Sequence, residues 1–211
     1  MTSAGSPWLR EVVEYYDERA DVLFDRYESV PFERVHGDLL KHLPAAGGMC
    51  LDIGAGSGRD AAYLAQRGCV VTAVEPSSEL RKRASLAHSG LPIRWIDDTL
   101  PPLHEVLKDG CSKYDFILVS AVWMHIPPDR REEAVEVLRQ LVKPTGIVVI
   151  SIRSTRLEDG RIFFSEESGK LPELTAEGGF QVSMIASPND DVYGREVHWT
   201  KYLLTPRGPI T

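Results

Sequence analysis

The stretch Met49-Cys50-Leu51-Asp52-Ile53-Gly54-Ala55-Gly56-Ser57-Gly58-Arg59-Asp60 constrains this chain more than any other. An apolar run enters a turn with glycine at every second position, and a helical pattern follows. Glycine lets the backbone bend tightly and lets a ligand touch the main chain without meeting a Cβ, while the first helical turn presents unpaired N–H groups. Tight strand-to-helix packing uses the same residues, so the turn needs context. Glu75 supplies it, seventeen residues after Gly58 and at the end of the apolar run Val70-Val71-Thr72-Ala73-Val74. An acid at the end of the next strand faces the same crevice and accepts hydrogen bonds from both hydroxyls of a ribose. A ligand containing a nucleoside is therefore expected. A dinucleotide site usually reads G-x-G-x-x-G, whereas this turn reads G-x-G-x-G.

Around this turn, strands are expected at about 48–53, 69–75, 92–96, 114–120 and 146–152. Helices fall between them at 57–67, 77–88 and 129–142, with a weaker one near 101–108. That alternation is the signature of βαβ units around a parallel sheet. Asp129 is a suitable N-cap, since Pro127 and Pro128 stop anything earlier. Residues 157–174 read as polar and irregular. Segments 180–186 and 193–204 read as two strands joined by Ser187-Pro188-Asn189-Asp190-Asp191, a turn sequence short enough to force an antiparallel pair. Upstream, Val12, Tyr16, Ala20, Leu23 and Tyr27 recur at helical spacing, so 8–28 reads as one amphipathic helix, interrupted by Pro31. A second helix at 32–43 ends before Pro44 and Ala45-Ala46-Gly47-Gly48. This joint separates an N-terminal helical segment, 1–44, from an α/β body, 45–211, within one structural domain.

Composition narrows the partners. With 43% hydrophobic residues the chain can bury a core without disulfides, and its three cysteines form neither a CxxC nor a His-Cys cluster. No disulfide framework and no metal are expected, and the compartment reads as reducing. The N-terminus lacks a basic region followed by an apolar stretch, and no run approaches a membrane span, so a cytoplasmic location is expected. The formal charge of -7 would repel a nucleic-acid backbone unless the bases gathered on one face. The tight cluster Arg81-Lys82-Arg83 reads as a solvated helix face.

Taken together, these motifs resemble those of the class I S-adenosylmethionine-dependent methyltransferases. Asp-x-Gly-x-Gly-x-Gly at 52–58 matches that superfamily's first motif, Glu75 its ribose-binding acid, and Ile96-Asp97-Asp98 its adenine-contacting segment. Tyr114 to His125 resembles its fourth-strand motif. Leu138 to Ile150, with Lys143-Pro144-Thr145-Gly146 in the turn, resembles the helix and strand that follow. The likeness covers about 45–153 and the terminal hairpin. It implies a doubly wound, seven-stranded Rossmann-like sheet with the last strand antiparallel, and an N-terminal helical lid. It also implies S-adenosylmethionine as methyl donor and S-adenosylhomocysteine as product.

By the same resemblance, Asp52, Gly54, Ala55, Gly56, Gly58 and Arg59 hold the methionine moiety, Glu75 and Pro76 the ribose side, and Asp97 the adenine amino group. Asp98 takes the adenine role if the strand ends one residue later, and either acid can instead cap a turn. Ser120, Ala121 and Val122 form the wall after strand four. Asp52, among apolar neighbours, needs a backbone N–H or an ammonium partner. Arg59 opens a helix where a cation opposes the dipole, so a carboxylate, from ligand or protein, is expected beside it.

For the acceptor, Tyr15, Tyr16 and Tyr27 either face the pocket or only pack the N-terminal helix. His125 follows strand four at the carboxyl edge and is either a satisfied cleft histidine or a general base. Arg153 follows strand five and either binds an acidic acceptor or forms a surface ion pair. His198 lies early in the terminal strand, near the same edge or facing solvent. His36, His42, His88 and His104 read as helix or turn surface. No acceptor motif appears, and Ser-Ala-Val-Trp at 120–123 replaces the Asn-Pro-Pro-Tyr signature of amino-directed DNA enzymes. This favours a small-molecule acceptor over nucleic acid. Two other classes stay open, a non-catalytic S-adenosylmethionine-binding or regulatory protein and an NAD-dependent oxidoreductase.

Overall fold

The computed structural model describes residues 6–108, 113–153, 160–164, 170–185 and 197–208. Seven strands form one sheet: β1 (Met49–Ile53), β2 (Val70–Val74), β3 (Ile93–Ile96), β4 (Tyr114–Ser120), β5 (Val142–Arg153), β6 (Phe180–Ile185) and β7 (Trp199–Pro206). Their order is β3-β2-β1-β4-β5-β7-β6, with β1 to β5 mutually parallel and β7 antiparallel to both β5 and β6. The order reverses between β1 and β4, which opens a crevice beyond the carboxyl ends of those strands. The β6–β7 connection, with the expected turn at 187–191 and the strand start at 193, lies outside the described residues.

Both sheet faces are covered, as a parallel sheet requires. Successive side chains along β1 part to opposite faces: Leu51 and Ile53 join Ile117, Val119, Trp123, Leu138 and Ile150 on one side. Cys50 joins Leu64, Val71, Phe116, Leu118 and Val149 on the other. Cys50 and Cys69 are buried free thiols, and burial pushes the Cys50 thiol up. Cys111 lies outside the described residues.

The N-terminal segment differs from one long helix. It breaks at Arg19 (φ -114°, ψ 13°) into α1 (Pro7–Glu18) and α2 (Ala20–Glu28). The break lets both helices lie against α5 (Ser78–Ala87), where Leu23 and Ala20 bury against Leu80. Asp17 fastens the contact by accepting from Ser77 Oγ at 2.6 Å and Glu79 N at 3.1 Å, and Ser77 itself caps α5 through Leu80 N. The expected helix at 32–43 is α only over α3 (Phe32–His36), then 3-10 over Gly37–His42. Glycine is a poor helix former and loosens the chain there.

Downstream, α4 (Arg59–Gln66), α6 (His104–Lys108) and α7 (Arg131–Leu141) fall near their expected places. Asp129 is not the cap of α7: it sits inside a 3-10 turn, Pro128–Arg130, and α7 begins with no side-chain cap. Within the stretch expected to be irregular, Lys170–Glu177 forms α8, burying Leu171 and Thr175. Gly160 and Gly169 read as breakers there, yet α8 begins at Lys170, and Pro172 falls in its first turn, where the missing N–H costs no hydrogen bond.

The turn into β5 also differs. β5 starts at Val142, four residues early, and its register against β4 jumps between Tyr114 and Phe116. Asp115 Oδ2 accepts from both Lys143 Nζ and Met49 N at 2.8 Å, which ties β1, β4 and β5 together. Gly146 makes the close approach possible, since a Cβ there would meet the Tyr114 carbonyl oxygen at 2.6 Å. That neighbour is backbone and cannot swing away. Gly146→Ala should cost about 1–3 kcal/mol in chemical denaturation, as overpacking does. Gly90→Ala, with nothing within 4 Å of its Cβ, should change stability far less. Equal midpoints for the two variants would refute the close-approach argument.

Candidate active site

A cavity of about 580 Å³ opens at the carboxyl ends of β1, β2, β4 and β5. Its floor is the glycine turn. Gly54 N and Ala55 N donate to Val74 O at 2.8 and 2.9 Å, which folds the turn back onto β2. Gly54 has φ +70°, and a Cβ there would strike Val122 Cγ2 at 2.3 Å. Gly54, Ala55, Gly56 and Arg59 line the cavity, together with Glu75, Pro76, Ser120, Ala121 and Val122. Gly58 does not. It closes the turn behind the wall, against Trp95 and His88.

Glu75 joins two segments. Its Oε2 accepts from Gly56 N and its Oε1 from Ser77 N, both at 2.8 Å. It is 5% exposed, and burial outweighs those two N–H groups, pushing its carboxyl up to about 7. Asp52 lies below the turn and outside the cavity lining. Burial, reinforced by the charge of Asp60, pushes its carboxyl well above the usual range, with Arg59 and the Ala61 N–H acting the other way. Its Oδ2 has no hydrogen-bond partner among the described residues.

The carboxylate expected beside Arg59 is Asp60, which reading the sequence did not single out. Arg59 Nε and its terminal nitrogen reach the two Asp60 oxygens at 2.7 and 3.0 Å. His36 Nε2 reaches Asp60 Oδ2 at 3.0 Å. Burial alone would raise the Asp60 carboxyl, but Arg59 and His36 hold it below the ordinary range. His36 corrects the surface reading: it is fully buried, packs tilted against the Phe32 ring and lines the cavity. Burial lowers its pKa, so the ring is neutral near pH 7. The i, i+4 spacing of Phe32 and His36 was the available signal, since both then share one buried helix face.

The adenine assignments separate. Asp97 is exposed, pairs with Arg81 at 2.8 Å and does not line the cavity. Asp98 lines it, but its carboxylate accepts from Thr99 N, Glu105 N and Val106 N and so caps α6. Asp98, Thr99 and Leu100 therefore offer backbone and apolar surface to the cavity.

On the β4 and β5 side, Ala121 adopts φ 59°, a strained conformation for a residue with a Cβ, and its N–H donates to Ser151 Oγ at 3.0 Å. His125 Nδ1 donates to Ile162 O at 2.6 Å, which leaves Nε2 to accept from the Tyr16 hydroxyl at 3.0 Å. Burial pushes the Tyr16 phenol up, against a lowering influence from Arg161, so the phenol keeps its proton. Segment 160–164 is clasped onto this region by Phe164 N donating to Met124 O at 2.8 Å. Arg153 is 3% exposed, lines the cavity and lies over the Phe163 ring at 5.0 Å.

Two acceptor-side candidates fall away. His198 is exposed, precedes β7 and lies outside the lining, because β7 turns Trp199 and Lys201 inward instead. Tyr15 packs edge-on against Tyr16 beneath the Arg19 guanidinium, outside the cavity, whereas Tyr16 and Tyr27 line it. Trp8, Leu9, Val12, Arg26, Arg34 and Arg161 also line it and were not foreseen. Lys201 is held by Asp38 and Val35 O, both at 2.6 Å, and burial lowers its pKa against the pull of Asp38.

The Glu75 shift has a stability consequence. Its folded pKa lies near 7 against an ordinary 4.5, so between those values the folded state binds more protons than the unfolded chain. The stabilisation is complete below pH 4.5 and is lost as pH rises through about 7, up to about 3 kcal/mol. Glu75→Gln should flatten this fall in denaturation midpoints measured across that window. An identical pH slope in both proteins would show that Glu75 does not titrate there.

A family model described as a methyltransferase domain matches residues 25–186. An uncharacterised methyltransferase of Mycobacterium tuberculosis is 29% identical over 168 residues, 80% of this chain and 64% of the relative. The ubiquinone biosynthesis O-methyltransferase of Xylella fastidiosa is 29% identical over 113 residues, 53% of this chain and 44% of that protein. The chain thus spans less than two thirds of the length of these curated relatives. Among solved structures, a TehB-like SAM-dependent methyltransferase from Corynebacterium glutamicum superposes with a TM-score of 0.67 at 16% identity, covering 90% of this chain and 99% of that one. The Burkholderia thailandensis 1,6-didemethyltoxoflavin-N1-methyltransferase, with bound 1,6-didemethyltoxoflavin and S-adenosylhomocysteine, gives 0.63 at 23% identity, covering 90% of each chain. At these identities the structural likeness is one of fold. The family match over most of the chain carries membership: this protein belongs to the methyltransferase domain family and has the class I S-adenosylmethionine-dependent methyltransferase fold.

Proposed function

We propose that the chain is an S-adenosylmethionine-dependent methyltransferase with a small-molecule acceptor. The observation that carries this reading is Glu75, a buried carboxylate in the wall of a 580 Å³ cavity, pinned by Gly56 N and Ser77 N at the end of β2. Two backbone N–H groups do not offset its burial, and a ribose diol would add two donors. The residues present fit the donor in one further way: Gly54, Ala55 and Gly56 bring the backbone of the turn into the cavity wall, where it would cradle the methionine end. Asp98, Thr99 and Leu100, with Leu80 opposite, form the adenine wall.

When bound, S-adenosylmethionine supplies an electrophilic methyl group, to which an acceptor lone pair bonds as the carbon–sulfur bond breaks. The chain's own work is alignment and exclusion of water. α1 and α2 cover the cavity with Trp8, Leu9, Val12, Tyr16 and Tyr27, so the described part of the N-terminal segment acts as its lid. The Tyr16 hydroxyl takes the acceptor's proton as it passes its own to His125 Nε2, while the His125 Nδ1–H stays on Ile162 O and steadies the resulting cation. A dinucleotide fits poorly here, because Asp60 places a carboxylate at the first turn of α4, where a pyrophosphate would sit.

Calorimetry and a metabolite screen for S-adenosylhomocysteine release test this reading. Glu75→Ala should weaken S-adenosylhomocysteine binding about tenfold or more, the value of hydrogen bonds to a charged group. His125→Ala should lower kcat about 100-fold with donor affinity nearly intact. Unchanged affinity in folded Glu75→Ala would remove the ribose role, and tight binding without turnover on any acceptor would favour a regulatory protein.

A further inference from the structure

A row of hydrogen bonds crosses from the lid to the body of the protein, and while the imidazole is neutral each bond has one direction. The first joins the Arg161 guanidinium to the Tyr16 oxygen. A guanidinium has donors and no acceptor, so the phenol oxygen accepts. The second joins the Tyr16 hydroxyl to His125 Nε2 at 3.0 Å, and the third joins His125 Nδ1 to Ile162 O at 2.6 Å. A carbonyl only accepts, so Nδ1 carries the ring proton, Nε2 is bare, and the phenol hydrogen points at Nε2. The order is therefore Arg161 to Tyr16 to His125 to Ile162.

Both ends of the row come from neighbouring residues of one segment, 160–164, which is seated on two sides. On the body, Phe164 N donates to Met124 O at 2.8 Å, and a terminal nitrogen of Arg131 donates to Phe164 O at 3.3 Å. On the lid, the Arg161 guanidinium lies over the Tyr15 ring at 6.0 Å, and Tyr15 packs edge-on against Tyr16 with ring centroids 5.5 Å apart. Gly160, at φ +83°, passes the same Tyr15 ring, which a Cβ would meet at 3.8 Å. Residue 161 thus reaches Tyr16 on α1, and residue 162 reaches His125 beyond the end of β4. One short stretch of chain sets both partners of the proton transfer.

We propose that Arg161 is the positioning residue of the relay formed by Tyr16 and His125. Its N–H keeps the phenol hydrogen turned toward Nε2 and holds the oxygen as that hydrogen departs. In the transfer step the acceptor's O–H or N–H bond breaks toward the phenol oxygen, and the phenol O–H bond breaks toward Nε2. The freed lone pair bonds the methyl carbon as the carbon–sulfur bond breaks. One proton ends on His125, Tyr16 is restored, and the positive charge lost from sulfur reappears on the imidazolium. Burial holds the phenol proton tightly, with Glu75 and Tyr15 acting the same way, and the Arg161 guanidinium is what opposes them.

The role of Arg161 in methyl transfer rests on the donor reading above, whereas the direction of the row is measured in the free chain. Long-range proton–nitrogen NMR of the full chain, with nitrogen-15 in its histidines and His125 assigned by its loss in His125→Gln, should show Nδ1 protonated and Nε2 bare and hydrogen-bonded at mildly alkaline pH. Arg161→Met keeps the stem and removes the donors, so the Nε2 signal should move toward that of a bare nitrogen with no donor. Arg161→Lys, which restores a donor, should bring it back. A ring protonated on Nε2 in the unmodified chain would overturn the proposal, and this holds even if Arg161→Met does not fold. So would an Nε2 signal indifferent to Arg161→Met at an unchanged denaturation midpoint. On the acceptor that the metabolite screen returns, Arg161→Met should lower kcat about tenfold or more, the value of one charge-assisted hydrogen bond, with most of the rate recovered in Arg161→Lys. Its S-adenosylhomocysteine affinity should stay within about twofold, too small a change to signal a lost hydrogen bond. An intact kcat would reduce Arg161 to packing and overturn its role. Failure of the unmodified chain to bind S-adenosylhomocysteine would overturn the donor reading and leave the measured proton arrangement standing.

Discussion

The carboxylate of Glu75 is the interaction on which the site depends. Each of its oxygens takes one backbone N–H, from Gly56 in the turn after β1 and from Ser77 at the cap of α5. The β1–β2 pairing and the hydrogen bonds of Gly54 N and Ala55 N to Val74 O bring these two segments side by side, and Glu75 locks their ends together. Ser77 in turn receives α1 through Asp17, so the same knot also sets where the N-terminal helices sit over the cavity. A carboxylate placed there is costly, since burial raises its pKa to about 7 with only two donors to offset it. A site that keeps so poorly solvated an acid in its wall is built for a ligand with donors of its own.

Behind the turn, a second buried network solves a different problem. Asp52, Asp60 and Asp38 come within one polar cluster with Arg59, Lys201 and His36. The charges are balanced by pairing: Arg59 with Asp60, Lys201 with Asp38, and a neutral His36 bridging to Asp60. Asp52 is left as the acid whose burial is least compensated. The network fixes α3 against α4 and β7, so a helix that precedes the sheet becomes part of the cavity wall. Removing one member would strand a buried charge, which costs more than the pair contributes.

Much of this was legible in the sequence, and the reasons are physical. The strand at 49–53, its glycine turn and the acid at 75 are local: spacing alone decides their conformation and direction. The parallel body follows from strand and helix periods, whereas thirteen residues separate β6 from β7, so the reversal of β7 is seen in its pairing with β5 and β6 rather than in a short connection. What escaped depended on contacts remote in sequence. His36 reads as surface because nothing near it announces Asp60, twenty-four residues on. Asp97 and Asp98 look equivalent as neighbours, yet one turns out to Arg81 and the other folds under to cap α6. His198 fails by one feature of β7, whose inward positions are Trp199 and Lys201. The helix at 170–177 was hidden by the polar stretch before it, with glycines at 160 and 169 that read as breakers.

The central claim is that Glu75 waits, partly protonated, for hydroxyl donors. Calorimetry of S-adenosylhomocysteine binding in buffers of different ionisation enthalpy measures it directly. Hydroxyl donors favour the ionised carboxylate, so binding should expel the proton that Glu75 holds in the free protein. The account predicts release of roughly half a proton near pH 7, more at lower pH, and none from Glu75→Gln. Binding with no buffer dependence, or with the same proton release in Glu75→Gln, would contradict it.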